Sequence, residues 1–220
     1  MTETRQSTSS QTLSRGLTAL EVLAEADKPL TIGELSERLQ LHRSITYRIV
    51  RTLEDHRLVV RSLTGELELG AGLVGLARNV ARDLQSAGLP ELTLIANELR
   101  MTAFIATLDS DTNEAVTLAS VEPRHADAFI AQRPGNRHSV DHGAPGRAIR
   151  RQLRGETPAR AYETSHDEVI PGLSSVAVPL AVPGQHPAAI AVVYLTRPTN
   201  VDAIGARLEQ AAQAIREDLI

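Results

Sequence analysis

No cysteine occurs in the 220 residues, which excludes a disulfide scaffold, a thiolate zinc site, a cysteine nucleophile and an iron–sulfur cluster. Tryptophan is also absent, and two Phe and three Tyr are too few for a platform that stacks the bases of single-stranded nucleic acid. Lysine is reduced to Lys28 beside 22 Arg, the residue suited to bidentate contacts with phosphate and guanine. No apolar run approaches the ~20 residues that cross a bilayer. The opening MTETRQSTSSQ has no apolar signal core. A cytoplasmic protein with no membrane partner is expected. What is present, 42% hydrophobic and 23% charged residues, suffices for an ordinary packed core in one or two domains.

The overall charge of −4 conceals an asymmetry. Between His42 and Arg61, five Arg (43, 48, 51, 57, 61) face two acids, Glu54 and Asp55, so this stretch is +3 and the other 200 residues are −7. A basic segment in an acidic chain is the footprint expected of a nucleic-acid-binding element, although a solvated helix face has the same composition.

Residues 1–11 carry almost nothing to bury and are expected to be a disordered tail. Leu13, Leu17, Leu20 and Leu23 recur at helical spacing, predicting a helix over about 12–26 that ends before Pro29. Thr31 with Glu34 three residues on is a capping box, opening a second helix through Ile32, Leu35 and Leu39. After a short break at Gln40–His42, Ile45, Ile49 and Leu53 mark the buried stripe of a third. Residues 58–60 and 66–69 around Gly65 then read as a β-hairpin. Three helices and a hairpin, with a tight break between the second and third helices, make a winged helix-turn-helix. On the third helix Arg43, Ser44, Tyr47 and Arg51 point away from the stripe, with Thr46 and Arg48 on its flanks. That outward face can donate to phosphates and base edges. Thr31 and Arg15 are expected to position the DNA backbone, and Arg61 on the wing to reach a phosphate.

Leu73, Leu76, Ala77, Val80, Ala81 and Leu84 predict an amphipathic linker helix at 71–86, which Ser86–Pro90 ends. A further helix at about 90–101 follows. Strands are expected at 103–108, 113–121, 127–132, 175–182 and 188–195, and Ile204, Leu208, Ala211, Ala212, Ile215 and Leu219 share one face of a terminal helix. The fold class is therefore α+β. The domain limits are 12–70 for DNA binding, 71–86 for the linker and 87–220 for a second, antiparallel-sheet domain.

The runs Ser14–Leu17, Leu20–Leu23, Leu41–Leu53 and Gly65–Gly70 resemble the N-terminal domain of IclR-type transcriptional regulators. The resemblance continues through Asp141–Ile149 and Asp167–Pro179. It implies a regulator that binds a double-stranded DNA operator as a homodimer or dimer of dimers, with a GAF-like effector-binding domain at 87–220 and no cofactor. By the same resemblance the effector pocket is lined by Gly143, Ala144, Ser165, Asp167, Ser175, Ala191 and Val193. Ala191 and Val193 stand where relatives that bind small acids often carry serines. Arg147 replaces the loop's lysine and Asp141 its first histidine. Between Arg150 and Tyr162 there is little chain for the helix many members have. The implied effector is an organic or aromatic acid. A small-molecule-binding enzyme with a helix-turn-helix appendage, and a helix-turn-helix used only for protein contact, are the rivals.

Other motifs point elsewhere only superficially. Gly70–Gly75 spells G-x-G-x-x-G, but a Rossmann unit needs a second parallel strand after the helix, and wing closure accounts better for these glycines. Asp109–Asn113 opens like an EF-hand loop, yet Glu114 stands where a glycine must turn and Ser120 where a glutamate must chelate. His138 and His142 are four apart in a strand-to-loop segment, where no helix aligns them on a metal. Ser139 and Ser165 lack a nucleophile elbow, so no catalytic residue is expected.

Overall fold

The computed structural model describes residues 10–125, 128–155 and 160–219. The chain divides into two compact units between Val80 and Ala81. Residues 1–9 of the expected tail lie outside the described residues. Ser10 caps the first helix by accepting from the Leu13 N–H, so order begins before residue 12.

The first unit contains α1 (Gln11–Glu25), α2 (Ile32–Arg38), α3 (Arg43–Asp55), the hairpin β1 (Val59–Arg61) and β2 (Leu67–Leu69), and the short α4 (Gly72–Ala77). The capping box forms: Thr31 Oγ1 accepts from the Glu34 N–H at 3.2 Å while the Thr31 N–H donates to Glu34 Oε2 at 2.7 Å. The Thr31 backbone N–H, followed by the Thr31 hydroxyl, donates to the Glu34 carboxylate and holds it below its ordinary range. Ala19, Leu23, Leu35, Ile49, Val50, Leu53, Val59 and Leu67 build one core. Leu30 joins it and exchanges two backbone bonds with Leu67, tying the segment before α2 to the wing. Gly70 and Gly72 close the wing as expected. A Cβ at Gly70 would stand 2.2 Å from the Arg57 carbonyl oxygen, and one at Gly72 2.6 Å from it.

The linker helix expected over 71–86 is two helices. Residues 78–81 turn between α4 and α5 (Arg82–Leu99), and Ala81 takes a left-handed conformation (φ 45°) that a right-handed helix cannot pass through. Nor does Ser86–Pro90 end a helix: α5 runs unbroken through Pro90. Leu84, Ala87, Gly88, Leu92, Ile95 and Ala96 form its buried stripe, and their packing outweighs the missing proline N–H.

In the second unit β3 (Thr102–Asp109), β4 (Glu114–Val121), β5 (Arg137–Ser139), β6 (Glu163–His166), β7 (Leu173–Leu180) and β8 (Ala188–Leu195) form one antiparallel sheet in the order β5-β4-β3-β8-β7-β6. Helices α5 and α7 (Val201–Asp218) pack on one face through Ile105, Val178, Ile190 and Val192. Helix α6 (Gly143–Arg154) covers the other through Phe104, Ala106, Ala177, Ala189 and Ala191. Four expected strands correspond to β3, β4, β7 and β8. No strand forms at 128–132, and residue 127 lies outside the described residues; β5 and β6 are additional. The Asp109–Asn113 segment is the β3–β4 turn, with Arg137 on Asp109 and Glu114 at 2.9 Å each, so a guanidinium already neutralises both carboxylates.

Candidate nucleic-acid interface and ligand pocket

His42 caps α3. Its Nδ1 accepts from the Ser44 N–H at 3.3 Å and lies 2.8 Å from Ser44 Oγ, so the start of the helix is held by a residue not singled out in the sequence. Arg43, Ser44, Tyr47, Arg48 and Arg51 are all exposed, as expected for an outward face. Thr46 is not beside them. It has no exposed surface, and the stripe of α3 is Thr46, Ile49, Val50 and Leu53. The polarity of Thr46 concealed this 3-1-3 spacing, which is better helical geometry than 45-49-53. The correction turns Ile45 outward, 38% exposed, adding an apolar group that can meet a thymine methyl.

The cations differ in how free they are. Arg43 and Arg48 have no carboxylate partner among the described residues, whereas Arg51 lies 3.7 Å from Asp55 in an exposed i, i+4 pair of little energy. Arg61 donates from Nε to Glu54 at 2.7 Å and stands over the Tyr47 ring at 6.0 Å, so it braces α3 against the wing before it meets any phosphate. The Thr31 hydroxyl donates to Glu34 Oε2 at 2.8 Å, which commits it to the cap rather than to DNA. Arg15 is half-buried on α1.

In the second unit Gly143, Ala144, Ser175, Ala191 and Val193 come together on the α6 side of the sheet. Ser165 Oγ lies 2.8 Å from Ser175 Oγ across the β6–β7 pair. Asp167 does not join them: its carboxylate accepts from the Gly172 N–H at 2.6 Å and lies 3.1 Å from His166 Nε2, closing the β6–β7 turn. Most of the loop read over Asp141–Arg147 is the first turn of α6, which opens at Gly143 with a φ of +78°. Its leading amide is occupied. The Gly143 N–H donates to Glu168 Oε2 at 3.0 Å, and Arg147 grips both oxygens of the same carboxylate. Arg147, followed by that amide, lowers the Glu168 pKa, so the chain's own anion sits on the helix dipole. His138 is on β5 and His142 stands just before α6, so the two do not share a helix. Burial lowers the His138 pKa, and its Nε2 is buried without a hydrogen-bond partner.

Two cavities open near one end of the sheet. The larger, about 410 Å³, takes in Thr164, Ser165, Glu168, Ser174 and Tyr194. The other, about 280 Å³, takes in Thr102, Phe129, Ile130, Val193 and Tyr194. Ser165 and Val193 are the expected pocket residues that line them.

Residues 12–62 match the IclR helix-turn-helix domain. The chain is 31% identical over 152 residues to an HTH-type transcriptional regulator of Mycobacterium tuberculosis, covering 69% of this chain and 58% of that protein. It is 30% identical over 151 residues to the transcriptional repressor IclR of Escherichia coli, covering 66% and 54% respectively. The matches thus span little more than half the length of these curated relatives. An IclR-type transcriptional regulator from Alicyclobacillus acidocaldarius superposes with a TM-score of 0.78 at 23% identity, over 96% of this chain and 100% of that one. An IclR homolog from Microbacterium hydrocarbonoxydans, solved with 4-hydroxybenzoate, superposes with a TM-score of 0.79 at 20% identity, over 94% and 98%.

Proposed function

Because the chain belongs to the IclR family, whose named relatives are transcriptional regulators rather than enzymes, we propose that it binds duplex DNA sequence-specifically through α3 and answers to a small organic ligand. The exposed face of α3 carries this reading: Arg43, Tyr47 and Arg48 project outward from a capped helix behind which Thr46, Ile49, Val50 and Leu53 anchor it. Such a helix fits the major groove, and the β1–β2 wing would flank it. One recognition helix reads few base pairs, so a homodimer or dimer of dimers on paired half-sites, acting in the cytoplasm, completes the proposal.

The effector is placed on the α6 side of the sheet, near Gly143, Ala144, Ser165, Ser175, Ala191 and Val193. A relative of the same fold carries 4-hydroxybenzoate, which supports an aromatic acid as its class. With Glu168 already on the α6 amide, the carboxylate of such an acid has the Ser165–Ser175 hydroxyl pair as its nearest donors.

The test is selection of binding sites from a random duplex library, followed by a salt titration of the selected site. Affinity should fall steeply with salt, and Arg43→Ala should cost on the order of 1–3 kcal/mol on the selected site if its contact is bidentate to guanine. An unchanged affinity in Arg43→Ala and Arg48→Ala would remove α3 from the groove. The effector reading is checked separately: 4-hydroxybenzoate should raise the thermal midpoint of the wild type and do so less in Ser175→Ala.

A further inference from the structure

The wing is poorly equipped to hold a phosphate. Residues 58–69 contain one cation, Arg61, beside two acids, Glu66 and Glu68. At the tip Thr64 Oγ1 donates to Glu66 Oε2 at 2.8 Å and lies 2.7 Å from Ser62 Oγ, so both hydroxyls are spent within the turn. Leu63 between them is fully exposed and offers only hydrocarbon. Arg61 is itself engaged on three sides. It donates from Nε to Glu54 Oε1 at 2.7 Å and from Nη1 to the Gly65 carbonyl at 3.5 Å, and its guanidinium stands 6.0 Å from the centre of the Tyr47 ring. The Arg61 and Glu54 side chains are 33% and 22% exposed, far better shielded than the Arg51–Asp55 pair on the same helix. Two hydrogen bonds fix the plane of the guanidinium, and a cation held so is attracted to the face of the ring. Tyr47, by contrast, is exposed on the outward face of α3, and no group among the described residues bonds its hydroxyl.

We infer that Glu54 and Arg61 are positioning residues for base recognition: Glu54 anchors Arg61 over Tyr47, and Arg61 holds the Tyr47 ring so that its hydroxyl meets a base edge in the major groove. The inference rests on the groove reading of α3 proposed above. An exposed tyrosine on an isolated helix samples several rotamers, and ordering it on binding costs affinity. A ring braced from the wing beforehand is spared that cost. Its hydroxyl, donor and acceptor at once, then meets one base pair in a fixed direction. Arg61 thereby serves selectivity rather than attachment, in place of the phosphate contact that its position on the wing suggests.

The duplex selected by the wild type is the probe, with each of its base pairs changed in turn and the affinity of the full chain measured for Arg61→Lys, Glu54→Ala and Tyr47→Ala. None of these side chains belongs to the core of the unit. Arg61→Lys keeps the charge but lacks the Nε donor and the planar guanidinium, and Glu54→Ala removes the anchor. Each should lower discrimination about tenfold at the base pair whose preference Tyr47→Ala also relaxes. In a Tyr47→Ala background neither should cost further selectivity, as required of residues that act through the ring. A phosphate clamp predicts the reverse for Glu54→Ala: a released cation, base preference intact, and a dependence of log affinity on log salt steeper by about 0.9. That result, intact preference in both variants, or a loss at a base pair that Tyr47→Ala does not affect would overturn the inference. Arg43→Ala separates the two levels. If it weakens binding while Arg61→Lys and Glu54→Ala keep the wild-type preference, only the positioning role falls; if Arg43→Ala and Arg48→Ala are also without effect, the groove reading falls and takes the positioning role with it.

Discussion

A threonine hydroxyl buried without a partner costs about 1–3 kcal/mol, and Thr46 carries one at zero exposure on the inner side of α3. Thr46→Val should therefore raise the unfolding free energy by roughly 1 kcal/mol in urea denaturation while leaving DNA affinity unchanged. Weaker DNA binding with unchanged stability would return Thr46 to the interface. The residue also shows what a sequence conceals. Arg43, Tyr47 and Arg48 were legible because charge and size follow exposure closely. Thr46 and Ile45 exchanged places because a β-branched hydroxyl residue and a β-branched hydrocarbon differ little in shape, and shape is what the core selects. Arg61 shows a different limit: its position on the wing could be read, but its bond to Glu54 and its place over Tyr47 come from the fold bringing α3 and β1 together. Such partners have no local signature.

At the level of elements, α6 is the helix whose opening was read as a loop. Gly-Ala-Pro-Gly carries every local sign of a turn, but proline is tolerated in the first turn of a helix and the Gly143 N–H finds Glu168, 25 residues away. Glu168 and Arg147 together fasten the β6–β7 turn to the start of α6. A carboxylate whose pKa falls on folding stabilises the fold above its unfolded value, ordinarily 4.5, and loses that contribution as pH drops through the lower folded value. Wild-type stability should therefore decline below about pH 4.5 with a component that Glu168→Gln lacks, measured as urea midpoints across acid pH. Identical acid slopes in the two proteins would mean that the ion pair contributes nothing. By contrast α1, α2 and α7 were legible in advance. Their caps and apolar spacing are local, as the Thr31–Glu34 box shows. α5 was misjudged for the converse reason, since a proline is a local signal and the stripe from Leu84 to Ala96 that overrides it is not.

For the whole molecule, the first unit leaves apolar side chains uncovered: Leu13 and Leu17 on α1, and Val74 and Leu76 on α4, the last 69% exposed. The expected linker stripe is shorter than its sequence suggested, because Leu84 is spent in the core of the second unit. The proposed dimer would cover what remains. Sedimentation at micromolar concentration should give a dimer or tetramer, and Leu76→Glu should lower the oligomeric state and the operator affinity together; a monomeric wild type with operator binding intact would dismiss it. One topological feature reaches further. The central pair of the sheet joins β3, its first strand, to β8, its last, so Thr102 is hydrogen-bonded beside Val193 across some 90 intervening residues. During synthesis the second unit cannot assemble its middle until nearly all of it has been made, because a long loop must close before that pairing is rewarded. The first unit faces no such delay, since its helices and hairpin pair with near neighbours in sequence. On the ribosome, a folded helix-turn-helix unit would precede the second unit, so under the proposed function the nascent chain would meet nucleic acid before it could meet the proposed ligand.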